Sequence, residues 1–95
     1  MGRRERLKPF EISADWPTAP VADPIHESVR RYVVNLRTAI GEGSIRSAAE
    51  SSEVNYSTLQ AILTGRAWPD AITVARTERA FGARLWDGPV ALPKD

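Results

Sequence analysis

Polar side chains that form directional hydrogen bonds are concentrated at positions 55–64, in the stretch NYSTLQAILT. Gln60 can pair with N6 and N7 of adenine, a contact that discriminates between bases by about 1–3 kcal/mol, and Ala61 can contact a thymine methyl group. The stretch contains no acidic residue, as a surface that faces phosphates requires. We therefore predict that its base-edge contacts come from Asn55, Tyr56, Ser57, Thr58, Gln60, Ala61 and Thr64.

Residues on either side of this stretch are suited to phosphate contacts. Ser44 and Arg46 begin a predicted helix, where free backbone N–H groups and the helix dipole favour an anion. Arg66 follows the stretch and could reach the other strand of a duplex. Alternatively, Arg46 and Arg66 are solvent-exposed surface charges, and Tyr56 is partly buried against the preceding helix.

The first 22 residues are basic and rich in proline. Their cationic start predicts an arm for the minor groove, as in homeodomains, although a solvated tail would have the same composition. Phe10 and Ile12 alternate with polar residues, which predicts a brief strand within Lys8–Ser13. The arm candidates are Arg3, Arg4 and Arg6.

Capping residues predict the helices that must position these side chains. The longest helix begins with Asp23 as N-cap and with Pro24, whose missing N–H group would be unpaired in any case. Gly41 and Gly43 are expected to end it.

Three shorter helices follow from the same signals. Their predicted N-caps are Ser44, Asn55 and Asp70. The predicted ends are Ser51 or Ser52 for the second helix, Leu63 or Thr64 for the third, and Phe81 for the fourth.

Helical spacing predicts which side chains form the core. In the first helix the apolar face comprises Ile25, Val29, Tyr32, Val33, Leu36 and Ile40. Its solvent-exposed face is expected to carry Glu27, Arg30, Arg31 and Arg37. Glu27 and Arg31 are spaced as an i,i+4 pair, which would stabilise the helix by about 0.3 kcal/mol. The later helices contribute Leu59, Ile62, Leu63, Val74, Thr77 and Phe81, over which Leu85 and Trp86 fold back.

From Ser44 to Gly82 the chain resembles the helix-turn-helix domain of the Cro and phage-repressor class, also called the xenobiotic-response-element type. Similar features are Ala49 before the turn, Val54 after it, and the sequence RAFG that closes the fourth helix. With the preceding helix the resemblance covers about residues 24–86. It implies an all-α, lambda-repressor-like bundle of four to five short helices containing a helix-turn-helix, with extended N- and C-terminal segments.

The chain departs from the family pattern at two places. Glu53 stands where the family usually has glycine in the turn, and a positive φ there would cost a glutamate roughly 1 kcal/mol. Thr77 and Glu78 stand where the family tends to have apolar or small residues. We expect Glu78 either to be exposed or to pair with an arginine.

Composition argues against catalysis. There is one histidine, His26, and no cysteine, and no carboxylates converge at metal-ligand spacing. We therefore expect no enzyme activity, no cofactor, no metal and no small-molecule ligand. No apolar run approaches the roughly 20 residues that cross a bilayer, and the lack of cysteine fits a reducing compartment, so a cytoplasmic location is expected.

These features predict a 95-residue regulator with an arm at 1–22, a DNA-binding domain at 23–86 and an extended tail at 87–95. We expect it to bind double-stranded DNA at specific sequences, as a repressor of bacterial or phage origin. A homodimer is expected, through Trp86, Val90 and Leu92 or through Phe10, Ile12 and Trp16. The alternatives are an antitoxin-like module, whose terminal segments bind a protein, and a DNA-bending accessory protein.

Overall fold

The computed structural model describes residues 6–89, and all its regular elements are helices. These are α1 (Pro9–Ile12), α2 (Pro24–Ile40), α3 (Ile45–Ser52), α4 (Tyr56–Leu63) and α5 (Ala71–Phe81). The all-α fold class is thus confirmed. No described helix combines the length and the apolar character needed to cross a membrane.

The four predicted N-caps begin their helices as expected. The side chain of Asp23 accepts from the N–H of Ile25 at 2.8 Å, and that of Asp70 accepts from the N–H of Thr73 at 2.7 Å. Ser44 and Asn55 cap α3 and α4 in the same way. Each cap satisfies a backbone donor that a helix start leaves unpaired, which fixes where the helix begins.

The core lies between α2 and the pair α3 and α4, with α5 closing it. The predicted residues Tyr32, Val33, Leu36, Leu59, Ile62 and Leu63 are buried there. The small side chains of Ala48 and Ala49 are buried on α3. Buried Thr77 is satisfied by a 2.8 Å hydrogen bond with the Tyr32 hydroxyl, which joins α5 to α2.

The prediction of which residues of α2 are exposed and which are buried is wrong at the N-terminal end of the helix. Ile25 was expected in the core, but 74% of its surface is exposed. Glu27 was expected to be exposed, but it is buried. Its carboxylate accepts from the Arg30 guanidinium at 2.6 and 2.7 Å and from the Val21 N–H at 3.0 Å. The chain before α2 folds back over this end of the helix, which helical spacing alone does not reveal.

Arg30 is also more enclosed than predicted. Its Nη1 donates to the Pro17 carbonyl oxygen at 3.0 Å while its other nitrogens hold Glu27. The predicted Glu27–Arg31 pair is present at 3.2 Å, but Arg31 is the outer and more exposed partner. The Arg30 hydrogen bonds, ahead of the other contacts, lower the pKa of Glu27 from 4.5 to about 2.

The brief strand predicted within Lys8–Ser13 is wrong, because Pro9–Ile12 form the short helix α1. Proline at the first helical position favours this start. The Lys8 N–H, which a helix start would leave unpaired, donates to the Glu11 carboxylate at 2.8 Å.

The N-terminal segment packs on the helical domain from Leu7 onward. The Phe10 N–H donates to the Gly65 carbonyl at 3.0 Å, and the Trp68 indole N–H donates to the Leu7 carbonyl at 2.8 Å. Trp16 is buried and meets Trp68 edge to face, with ring centroids 5.8 Å apart. The described part of the predicted extended arm is therefore anchored. Its burial also removes Trp16 as a candidate for a dimer surface.

The chain after α5 returns to the core as predicted, with Leu85 buried and Trp86 half-buried. Glu78 was expected to be exposed or to pair with an arginine. Instead it is half-buried, and it makes no ion pair within 4.0 Å among the described residues. Its carboxylate accepts from the N–H groups of Leu85 at 2.8 Å and Trp86 at 2.9 Å, and these bonds lower its pKa. The dimer candidates Val90 and Leu92 lie outside the described residues, as do Arg3 and Arg4 of the arm.

Candidate nucleic-acid interface

Two short helices, α3 and α4, are joined by Glu53, Val54 and Asn55. Ala48 and Ala49 give α3 a small-residue face, and Val54 is buried within the connection. The three apolar residues Leu59, Ile62 and Leu63 fix α4 to the core. The opposite side of α4 is thereby turned outward.

The connection contains the strained residue that the sequence indicated. Glu53 has φ 60° and ψ 34°, the left-handed conformation that glycine adopts most easily. The Val54 N–H closes the end of α3 on the Ala49 carbonyl at 3.1 Å. In addition, Arg76 of α5 donates from Nη1 to the Glu53 carbonyl at 2.8 Å. A contact between residues so far apart in the chain has no local signature, and sequence reasoning missed it.

The outward side of α4 presents the predicted base-edge candidates. Asn55, Ser57, Thr58, Gln60 and Thr64 are exposed, whereas Tyr56 and Ala61 are half-buried. None of them is hidden in the core. An α-helix with its side chains is about 10–12 Å across, and the major groove of B-DNA, about 12 Å wide, admits a helix of that diameter.

Four of these candidates surround one open depression together with Arg66. It has a volume of about 430 Å³ and is lined by Ser57, Gln60, Ala61, Thr64 and Arg66. The Arg66 N–H donates to the Ala61 carbonyl at 2.8 Å, which turns the chain back beside the end of α4. The predicted phosphate candidate Arg66 is thus placed next to the predicted reader Gln60.

Two candidates have part of their hydrogen-bonding capacity used within the protein. The Asn55 side-chain oxygen accepts the Ser57 N–H as the cap of α4, so its amide N–H groups are what it can offer outward. The Thr64 hydroxyl donates to the Gln60 carbonyl at 2.9 Å and retains acceptor capacity. Gln60 and Thr58 have no such constraint in the hydrogen bonds of the described residues.

The other phosphate candidates lie at the start of α3. Ser44 caps α3, and its oxygen accepts the Ser47 N–H at 2.9 Å. The Arg46 guanidinium lies over the ring of Tyr56, 4.6 Å from its centroid. One cation therefore lies at each end of the outward side of α4.

Arg6, the described member of the predicted arm, lies elsewhere. It shares a surface depression with Ile25, His26, Val29 and Trp68 near the start of α2. The His26 ring packs on Trp68 with centroids 5.0 Å apart, which gives the lone histidine a packing role. Of the predicted arm, the described residue Arg6 thus lies beside the start of α2.

Comparison of this chain with models of known protein families, with curated proteins and with solved structures finds no match. The resemblance to the Cro and phage-repressor class therefore stays a prediction from the residues that carry it.

Proposed function

We propose that this protein binds double-stranded DNA at specific sequences and regulates transcription, most simply by occluding a promoter. The observation that carries the proposal is the outward side of α4, which is polar, free of acidic residues and bordered by Arg46 and Arg66. In the proposed complex α4 enters the major groove.

Base readout would come from the centre of this surface. Gln60 is exposed and unconstrained, and its amide can form the paired contact to adenine. Ser57 and Thr58 offer hydroxyl groups, and half-buried Ala61 offers a methyl group. The arginines at both ends would neutralise phosphates and fix the register of the helix without reading sequence.

A homodimer is part of the proposal. One domain of this size buries only about 600–1,000 Å² of protein surface on DNA. Two copies on half-sites about one helical turn apart would double this area, and a symmetric dimer would recognise a palindromic sequence. Of the described dimer candidates, Phe10 is exposed, and Ile12 and Trp86 are half-buried.

The test is selection of bound duplexes from a random pool, followed by affinity measurement on the preferred site. Gln60→Ala should relax the preference at one base position and cost about 5- to 150-fold on the preferred site, the equivalent of 1–3 kcal/mol. The matched control is Thr38→Ala, an exposed polar residue on α2. If selection enriches no site from the pool, the proposal is refuted. A module that binds only proteins would give that result.

Charge contacts are tested separately. Arg66→Ala should weaken binding about equally on all sequences and reduce the salt slope by about 0.9. Arg84→Ala removes an exposed arginine from the chain after α5 and should change neither quantity. Equal effects of the two variants would mean that net charge, rather than docking through α4, determines binding.

A further inference from the structure

Arg46 and Tyr56 form a contact that joins the first turns of α3 and α4. The guanidinium carbon lies 4.6 Å from the centroid of the Tyr56 ring. Tyr56 is half-buried, because its ring packs against the hydrophobic core, while Arg46 is exposed. The ring is therefore the fixed partner and the arginine is the one being held.

Nothing else in the described part of the chain competes for the Arg46 charge. The ion pairs within 4.0 Å among residues 6–89 are those that Glu27 makes with Arg30 and Arg31. Arg46 thus keeps its hydrogen-bond donors free while its position is restricted by the ring.

The chemistry of guanidinium allows both contacts at once. Its face stacks on an aromatic ring, and its five N–H donors point outward in the plane, where they match the geometry of a phosphate. An arginine that is already oriented loses less side-chain entropy when it binds.

We propose that Tyr56 is a positioning residue, whose ring holds Arg46 in place for a backbone phosphate of duplex DNA. This assigns Tyr56 a role other than base reading, since it acts through its ring and not through its hydroxyl group. The inference rests on the proposed function, because the phosphate belongs to the bound duplex.

The test compares Tyr56→Phe, Tyr56→Leu and Arg46→Ala on the duplex obtained by selection, over a range of salt concentrations. Tyr56→Phe keeps the ring and should bind within about twofold of the unaltered protein. Tyr56→Leu removes the ring and should weaken binding about two- to fivefold, the range expected for an exposed cation–π contact. Tyr56→Met supplies a second non-aromatic replacement if leucine lowers the melting temperature.

A double-mutant cycle separates positioning from other roles. In the Arg46→Ala background, which should have a salt slope reduced by about 0.9, Tyr56→Phe and Tyr56→Leu should bind equally. A difference that persists there would show that the ring acts without Arg46 and would overturn the proposal. A loss in Tyr56→Phe as large as in Tyr56→Leu would also overturn it, because the hydroxyl group would then be the contact.

The contact itself is measured on the free protein. Ring currents should shift the NMR signals of the Arg46 side-chain methylene protons upfield, with the shift kept in Tyr56→Phe and lost in Tyr56→Leu. An absence of shift in the unaltered protein would overturn the inference alone. An absence of any duplex binding, with the shift present, would overturn the proposed function and the positioning role that depends on it.

Discussion

The carboxylate of Glu27 is expected to make folding stability depend on pH in the acidic range. The change to test is Glu27→Gln, which keeps the size of the side chain but removes its charge. Glu27 holds Arg30 through two oxygens and is buried at the start of α2, and these contacts lower its pKa from 4.5 to about 2.

The magnitude follows from this displacement. At 1.36 kcal/mol per pKa unit, the difference between 4.5 and about 2 corresponds to about 3 kcal/mol. Solvent screens the outer edge of the pair, so about 2 kcal/mol is expected. A lowered folded-state pKa gives stability that is present above pH 4.5 and is lost as the pH falls towards about 2.

The assay is urea unfolding followed by far-UV circular dichroism, at constant ionic strength and at pH values between about 7 and 2.5. The unaltered protein should be more stable than Glu27→Gln by about 2 kcal/mol at neutral pH, and most of this difference should vanish by about pH 2.5. Glu42→Gln, at an exposed position, is the control and should stay within about 0.5 kcal/mol of the unaltered protein. A difference between the unaltered protein and Glu27→Gln that is constant with pH would refute the reasoning.

Three further predictions follow from backbone geometry and from the basic arm. Glu53→Gly should raise the free energy of unfolding by about 0.5–1 kcal/mol, since relief of the left-handed conformation exceeds the added entropy of the unfolded chain; a lower melting temperature would contradict this. Gly65→Ala should lower the free energy of unfolding by at least about 2 kcal/mol, because Gly65 has φ +80° and the added Cβ would lie 3.0 Å from Trp16 Cδ1. The matched control is Gly82→Ala, where φ is +61° and nothing lies within 4 Å of the added Cβ. If urea unfolding shows equal losses of stability for the two variants, the contact with Trp16 makes no contribution. Replacing Arg3, Arg4 and Arg6 together by glutamine leaves the Leu7 anchor in place and should reduce the salt slope of duplex binding, whereas an unchanged slope would reject the arm.

Local signals in the sequence predicted the helices well. Asp23, Ser44, Asn55 and Asp70 cap their own helices, and each needs only the backbone a few residues away. The resemblance to the helix-turn-helix class marked Glu53 as a turn position where a positive φ would be costly, and the residue has φ 60°.

Long-range contacts account for what the sequence did not predict. Glu27 has the spacing of an exposed residue on α2, but Val21 and Pro17 fold back over it and its arginine. Arg76 of α5 donates to the Glu53 carbonyl, and nothing in the sequence around either residue indicates that contact. Such contacts depend on which surfaces meet, and periodicity within one helix contains no information about that.

At the candidate interface the same division applies. The exposure of Gln60 and Thr58 followed from the inward spacing of the apolar residues of α4. The position of the Arg46 guanidinium over the Tyr56 ring depends on how α3 and α4 pack, and the residue types at the two positions do not reveal it.

The contact between Trp16 and Trp68 turns the junction of two parts of the chain into an optical probe. One indole belongs to the N-terminal segment and the other to the loop that follows α4. The fluorescence of both tryptophans therefore depends on contact between these two parts of the chain. Detachment of the segment alone would alter tryptophan fluorescence while leaving most of the helical circular dichroism unchanged. The protein thus has a built-in means of distinguishing partial opening from global unfolding, without any attached label.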